Sequence, residues 1–96
     1  MKVFILSSGQ KDLDDGYYFY EQQGEGLGDY FEESLFSDIE SLKIFGGIHR
    51  IVMGYHMCIS KRFPYAIYYK KDGERINVFA VLDCRRDPKW IQQRLK

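Results

Sequence analysis

The chain has few prolines, few cysteines, no long apolar run and no overall charge, and each shortage excludes something. Its two cysteines, Cys58 and Cys84, sit inside apolar runs without Cys-x-x-Cys spacing, so buried free thiols are expected. His49 and His56 add too few ligands at unsuitable spacing for a zinc site, and no metal or cofactor is expected. No apolar stretch approaches the ~20 residues of a membrane span. The opening Lys2-Val3-Phe4-Ile5-Leu6 is too short for a signal-peptide core and reads as a strand, so a cytoplasmic protein without membrane contact is expected. The serines Ser7, Ser8, Ser34, Ser37, Ser41 and Ser60 have no distinctive setting, and no catalytic triad is visible. Gly24-Glu25-Gly26-Leu27-Gly28 lacks the Lys-Ser/Thr of a P-loop and follows no strand, so it reads as one helix ending and another starting.

What is present points to one folded unit over residues 1–96, rich in Tyr (8) and Phe (7), which argues against disorder. The zero net charge hides an asymmetry. Residues 1–40 carry ten acids against Lys2 and Lys11, a balance of −8, and residues 41–96 carry twelve bases against four acids, +8. The split predicts an acidic helical layer and a basic strand layer, or else neutralisation across the fold.

The organising stretch is Arg62 to Arg86, where two β-rich runs flank Asp72-Gly73. An Asp-Gly pair between such runs is a strong hairpin signal. A type I′ turn at that pair sets Lys71 against Glu74, Tyr69 against Ile76, Ile67 against Val78, Tyr65 against Ala80 and Phe63 against Leu82. These pairs would form one apolar face. Upstream, residues 2–7 read as a strand, and Leu13, Tyr17 and Tyr20 give one face of a helix ending near Gln23, with Gly24 left-handed after it. Ser8 or Asp12 is the expected cap, with Asp12, Asp14 and Asp15 near the helix's positive end. A second helix runs from Leu27 or Gly28 to Lys43 with Leu27, Phe31, Leu35, Ile39 and Leu42 as its apolar stripe. Glu32, Glu33, Asp38 and Glu40 fall mostly on its water side. Residues 48–53 read as a short strand or an irregular segment, Tyr55–Lys61 as a strand, and Asp87-Pro88 as cap and first turn of a final helix bearing Trp90, Ile91 and Leu95. The order β-α-α-β-β-β-α describes an α+β fold, an antiparallel sheet packed against an N-terminal helical hairpin. Lys61-Arg62 and Arg85-Arg86 close two strands at the hairpin base, where the register brings Arg62 towards Asp83 and Arg85, a grouping that could grip phosphate or instead be neutralised by Asp83 and Asp87.

Two segments carry a family resemblance. Arg62-Phe-Pro-Tyr-Ala-Ile-Tyr-Tyr, a turn, then Ile76-Asn-Val-Phe-Ala-Val-Leu-Asp-Cys-Arg-Arg-Asp-Pro-Lys-Trp90 resembles the C-terminal half of ParE-type toxins in the RelE/ParE superfamily. So does Phe19-Tyr-Glu-Gln-Gln-Gly-Glu-Gly-Leu-Gly-Asp-Tyr-Phe31; residues 44–60 match poorly. The resemblance implies the family's β-α-α-β-β-β fold and a toxin of a type II toxin–antitoxin system, of the ParE-like, plasmid-stabilisation type. The partner it implies is a cognate antitoxin that wraps the toxin and through which the complex meets operon DNA. ParE-like members inhibit DNA gyrase; RelE-like members cut mRNA in the ribosome. The RelE-like branch places Arg where this chain has Ala66, Lys residues where it has Met57 and Ile59, and a C-terminal Tyr where it has Trp90, leaving Arg85. One arginine cannot accept a proton, donate one and stabilise the phosphate. The expectation is therefore a binding protein with no catalytic residues, contacting its target or partner through Lys61, Arg62, Arg85, Arg86 and Trp90, with the ribosome-dependent nuclease and an inactive antitoxin-binding relative as alternatives.

Overall fold

The computed structural model describes residues 1–96. The elements in order are β1 (Lys2–Ile5), α1 (Ser7–Glu21), α2 (Leu27–Glu40), the one-turn α3 (Leu42–Phe45), β2 (Ile51–Val52), β3 (Tyr55–Ile59), β4 (Tyr65–Asp72), β5 (Arg75–Asp83) and α4 (Pro88–Leu95). The α+β architecture with a helical hairpin on the sheet is as the sequence implied. The five strands run β1-β5-β4-β3-β2. The sheet is mixed and not wholly antiparallel, because β1 pairs parallel with β5, Lys2 opposite Arg75 and Ile5 opposite Val78. The chain reaches that orientation by crossing over through the helical hairpin. No helix is long and apolar enough to cross a membrane.

The β4–β5 hairpin exists, but its register differs from the expected one. Asp72 pairs with Arg75, so the loop is Gly73-Glu74. Gly73 has φ +58 and Glu74 a negative φ, the pattern of a II′ turn, which needs glycine only at its first central position. The ladder then slips between Tyr69–Val78 and Tyr68–Ala80, leaving Phe79 as a β-bulge. On β4 the expected face survives: Tyr65, Ile67 and Tyr69 join Ile76 and Val78 beneath the helices. Beyond the bulge the alternation of β5 reverses. Val81 turns to the helices, and Ala80 and Leu82 turn to the outer face with Ala66, Tyr68 and Leu95.

Helix α1 is built to meet that bulge. Ser8 Oγ donates to the carbonyl of Phe79 (2.6 Å), and Asp12 Oδ2 accepts from the amide of Val81 (3.0 Å). Neither residue caps the helix, which begins after Leu6 with no side-chain cap. A bulge leaves ladder groups unpaired, and buried backbone polar groups need partners; α1 supplies them. A β-carbon on Gly9 would lie 3.0 Å from the Val78 carbonyl oxygen, so glycine permits this close approach.

The expected apolar stripe is the core: Phe31, Leu35 and Ile39 of α2 and Leu42 are buried and only Leu27 stays exposed, but α2 ends at Glu40, short of the expected Lys43, and Leu42 opens α3. Asp38, expected on the water side, is buried and accepts from Ser60 Oγ (2.7 Å) and the Lys61 amide (3.3 Å), tying α2 to the end of β3. The left-handed glycine between the helices is Gly26 (φ +86), not Gly24. Phe31 sits in an aromatic cluster with Tyr20, Phe63 and Tyr65, at centroid separations of 5.1, 5.1 and 4.8 Å. Asp87 caps α4 through the Lys89 amide, with Pro88 in the first turn as expected. Both cysteines are free, Cys58 buried as expected and Cys84 exposed.

Candidate functional site

Three elements converge beside the bulge. Asp12, Asp15, Gly16 and Phe19 of α1, Val81 to Asp83 of β5, and Trp90 of α4 line a cleft of about 470 Å³, with Tyr65 at its floor and Arg85 and Arg86 at its rim. Asp12 makes the cleft possible. Besides holding Val81, its carboxylate takes both terminal nitrogens of Arg94, each at 3.0 Å, and so fastens α4 to α1. Burial lifts Asp12 above the ordinary carboxylate range, against the opposing pull of Arg94.

The rim arginines differ. Arg85 is bound to Asp83 through Nε (3.0 Å) and a terminal nitrogen (2.8 Å), and its amide reaches the same carboxylate (2.8 Å). Its side chain holds Asp83 below the usual carboxylate range, and Asp83 in turn raises the guanidinium. The neutralised alternative is thus the one found for Arg85. Arg86 has no carboxylate. Its guanidinium carbon sits over the indole of Trp90, 3.8 Å from the ring centroid, with that of Arg94 at 5.8 Å over the same ring. The stack fixes a guanidinium while leaving its donors available. The Tyr65 hydroxyl is pushed up to about 12, mainly by burial, so it stays protonated at neutral pH.

Lys61 and Arg62 occupy the β3–β4 turn and do not line the cleft. Both are exposed and neither is ion-paired. The observed register ends the β4–β5 ladder at Tyr65–Asp83, with the Cys84 amide on the Pro64 carbonyl. The base of the hairpin therefore brings together Arg85, Arg86 and Trp90, and sets Lys61-Arg62 apart. Of the positions that would carry nuclease charges, Ala66 is fully buried and Met57 packs on the outer face, whereas Ile59 is exposed. Sequence reasoning missed Asp12 and Arg94 as a pair. The one signal available was the four-residue spacing that puts Trp90 and Arg94 on one side of α4.

The charge asymmetry is real in space. Asp14, Asp29 and Glu32 gather with Tyr17 and Tyr18 on the helical hairpin. Of the acids in residues 1–40, Asp15 and Glu40 pair locally with Lys11 and Lys43, and Asp12 alone reaches a distant base.

The architecture matches a chain of a solved structure described as the chromosomal ParDE TA system from P. aeruginosa, with a TM-score of 0.75 and 16% identity over 84% of this chain and 92% of that chain. The fold is ParE-like. No protein-family model matches the sequence, and no curated protein matches it.

Proposed function

We propose that this chain is the toxin of a type II toxin–antitoxin system, ParE-like in kind, arresting growth by binding a target such as DNA gyrase and held inactive by a cognate antitoxin. What carries the reading is the ParE-like fold over 84% of the chain. The cleft supports binding over cutting. Of the cleft groups with altered proton affinity, Tyr65 and Arg85 move upward and Asp83 downward, away from neutrality, and Asp12, which burial raises, is taken up by the Val81 amide and Arg94. Arg86 on Trp90 is the contact point for the target, with Lys61 and Arg62 as a second basic contact on the neighbouring turn. DNA is met only through the antitoxin complex.

The test is induced expression in a bacterial host, followed by gyrase supercoiling and programmed-ribosome assays with purified protein. Growth arrest and blocked supercoiling are expected, both weakened by Arg86→Ala and Trp90→Ala. Ribosome-dependent mRNA cleavage abolished by Arg85→Ala would overturn the binding reading in favour of the nuclease, and absence of arrest would leave an inactive relative that binds only antitoxin.

A further inference from the structure

Tyr69 is fully buried in β4, and its hydroxyl has two partners. The Gly47 amide donates to Oη at 2.9 Å, and His49 Nδ1 lies 2.6 Å from the same oxygen. A phenol has one proton to donate and lone pairs with which to accept. Gly47 takes a lone pair, so His49 Nδ1 is the one acceptor in reach of the hydroxyl proton. A buried hydroxyl needs such an acceptor, and this fixes His49 as the neutral ring protonated at Nε2. His56 is protonated the other way round. Its Nδ1 meets the His49 carbonyl at 2.6 Å, and a carbonyl only accepts, so Nδ1 carries the hydrogen. The His56 ring also stacks on Tyr69, with centroids 5.0 Å apart. The His56 bond persists in either charge state of its ring, whereas the His49 bond does not. A proton on His49 Nδ1 would point at the hydroxyl proton and leave it without an acceptor.

The same three side chains anchor a segment that little else holds. Between Gly47 and Gly54, the side chains of Ile48, Arg50, Ile51 and Met53 are exposed. Strand β2 is two residues long and pairs only with β3, and the Met57 amide adds one bond to the Arg50 carbonyl at 2.9 Å. Segments with so few buried apolar contacts open locally at low cost. The charged and titratable groups around the cluster do not compensate a histidine cation. His56 and Cys58 lie on β3, Lys71 of β4 passes Gly47, and Arg50 is next in the chain. Asp38 of α2 acts on Cys58 but is held by Ser60 and the Lys61 amide, and Lys43 of α3 pairs with Glu40. Neither histidine has an ion-pair partner. Burial, and after it His56, lowers His49 from the ordinary histidine value. We propose that Tyr69, His49 and His56 form a pH-sensitive latch, in which proton uptake by His49 releases residues 47–52 from the sheet. A ring that takes a proton more readily once released favours release as pH falls. The latch is therefore closed above the ordinary histidine pKa of about 6.5 and weakens as pH falls through the lowered value. None of its residues lines the Arg86–Trp90 cleft, and it stands whether or not the toxin reading does.

The experiment uses the isotope-labelled full chain, with amide exchange and histidine ring titration followed by NMR between about pH 8 and about pH 5. The Gly47 and Met57 amides should exchange faster than those of the β4–β5 ladder at every pH, which makes the opening local. After correction for intrinsic exchange, their protection should fall on acidification by up to about tenfold for each pH unit by which His49 lies below its ordinary value. His49→Gln removes the titrating ring and should flatten that dependence. Tyr69→Phe keeps the ring that stacks on His56 but removes the hydroxyl. In it His49 should titrate closer to the ordinary value, and the pH dependence at Met57 should shrink. Protection at Gly47 and Met57 equal to that of the ladder would mean release only on global unfolding and would overturn the latch. So would a His49 that titrates at or above the ordinary value in the parent chain, or a pH dependence undiminished in His49→Gln.

Discussion

Gly16→Ala separates two physical effects of opposite sign. In an exposed helix interior, replacing glycine by alanine stabilises by about 1 kcal/mol, because glycine loses more backbone freedom on folding. Gly16 is in the body of α1 but buried, and a β-carbon there would stand 2.5 Å from Cε2 and Cζ of Phe31. Carbon atoms prefer ~3.5–4.0 Å, so the ring must retreat by about an ångström. It has nowhere to go: Phe31 is fully buried and touches Tyr20, Phe63 and Tyr65. Overpacking of this kind costs ~1–3 kcal/mol, and a gap this short belongs at the upper end. The net expectation is destabilisation by about 1–2 kcal/mol, and a melting temperature lowered by roughly 5–15 °C in a domain of this size. Urea and thermal unfolding of Gly16→Ala, Phe31→Leu and the double variant complete a cycle. In the Phe31→Leu background, where the ring is gone, the alanine should be neutral or stabilising by up to ~1 kcal/mol. A higher melting temperature for Gly16→Ala alone, or coupling below ~0.5 kcal/mol, would refute the claim that α1 and α2 pack through this glycine.

Asp12→Ala strands the buried Val81 amide and frees Arg94, and should cost about 2–4 kcal/mol in urea unfolding, whereas Asp12→Asn keeps an acceptor for Val81 and should cost roughly half as much; equal losses would mean that the amide is not the larger contribution. Asp83 is depressed in the folded state, so its contribution to stability is present above the ordinary carboxylate pKa and is lost as pH falls through the folded value. Stability measured on acidification should therefore fall less steeply in Asp83→Asn than in the parent chain, and identical slopes would remove the Asp83–Arg85 pair from the account.

How much of this was legible depended on range. Asp72-Gly73 announced a hairpin, and the faces of β4 followed from its alternation. The same tetrapeptide also offers Gly73-Glu74 as a two-residue loop, and a II′ turn accepts it. Local sequence does not choose between them, because the two turns shift the pairing by two residues, from Tyr69–Ile76 to Tyr69–Val78, and both keep Ile76 and Val78 on the face of Tyr69. The bulge at Phe79 is what reverses the faces of β5 beyond it, and no sequence pattern marked it. Its partners, Ser8 and Asp12, lie 71 residues from Phe79 and 69 from Val81. Capping rules assign such residues to the helix start, since a side chain near a helix N-terminus usually serves its own backbone. Here they serve a strand instead. That one departure from local rules organises the candidate site. The bulge turns the Val81 amide towards α1, Asp12 reaches it, and the other side of the same carboxylate catches Arg94 across 82 residues of chain. With Arg94 held, α4 lies across the outer face and Trp90 stands beside Arg86. The basic residues at the strand ends were visible from the start; that Arg85 is spent on Asp83 while Arg86 is kept free on an indole follows from where the bulge places α4.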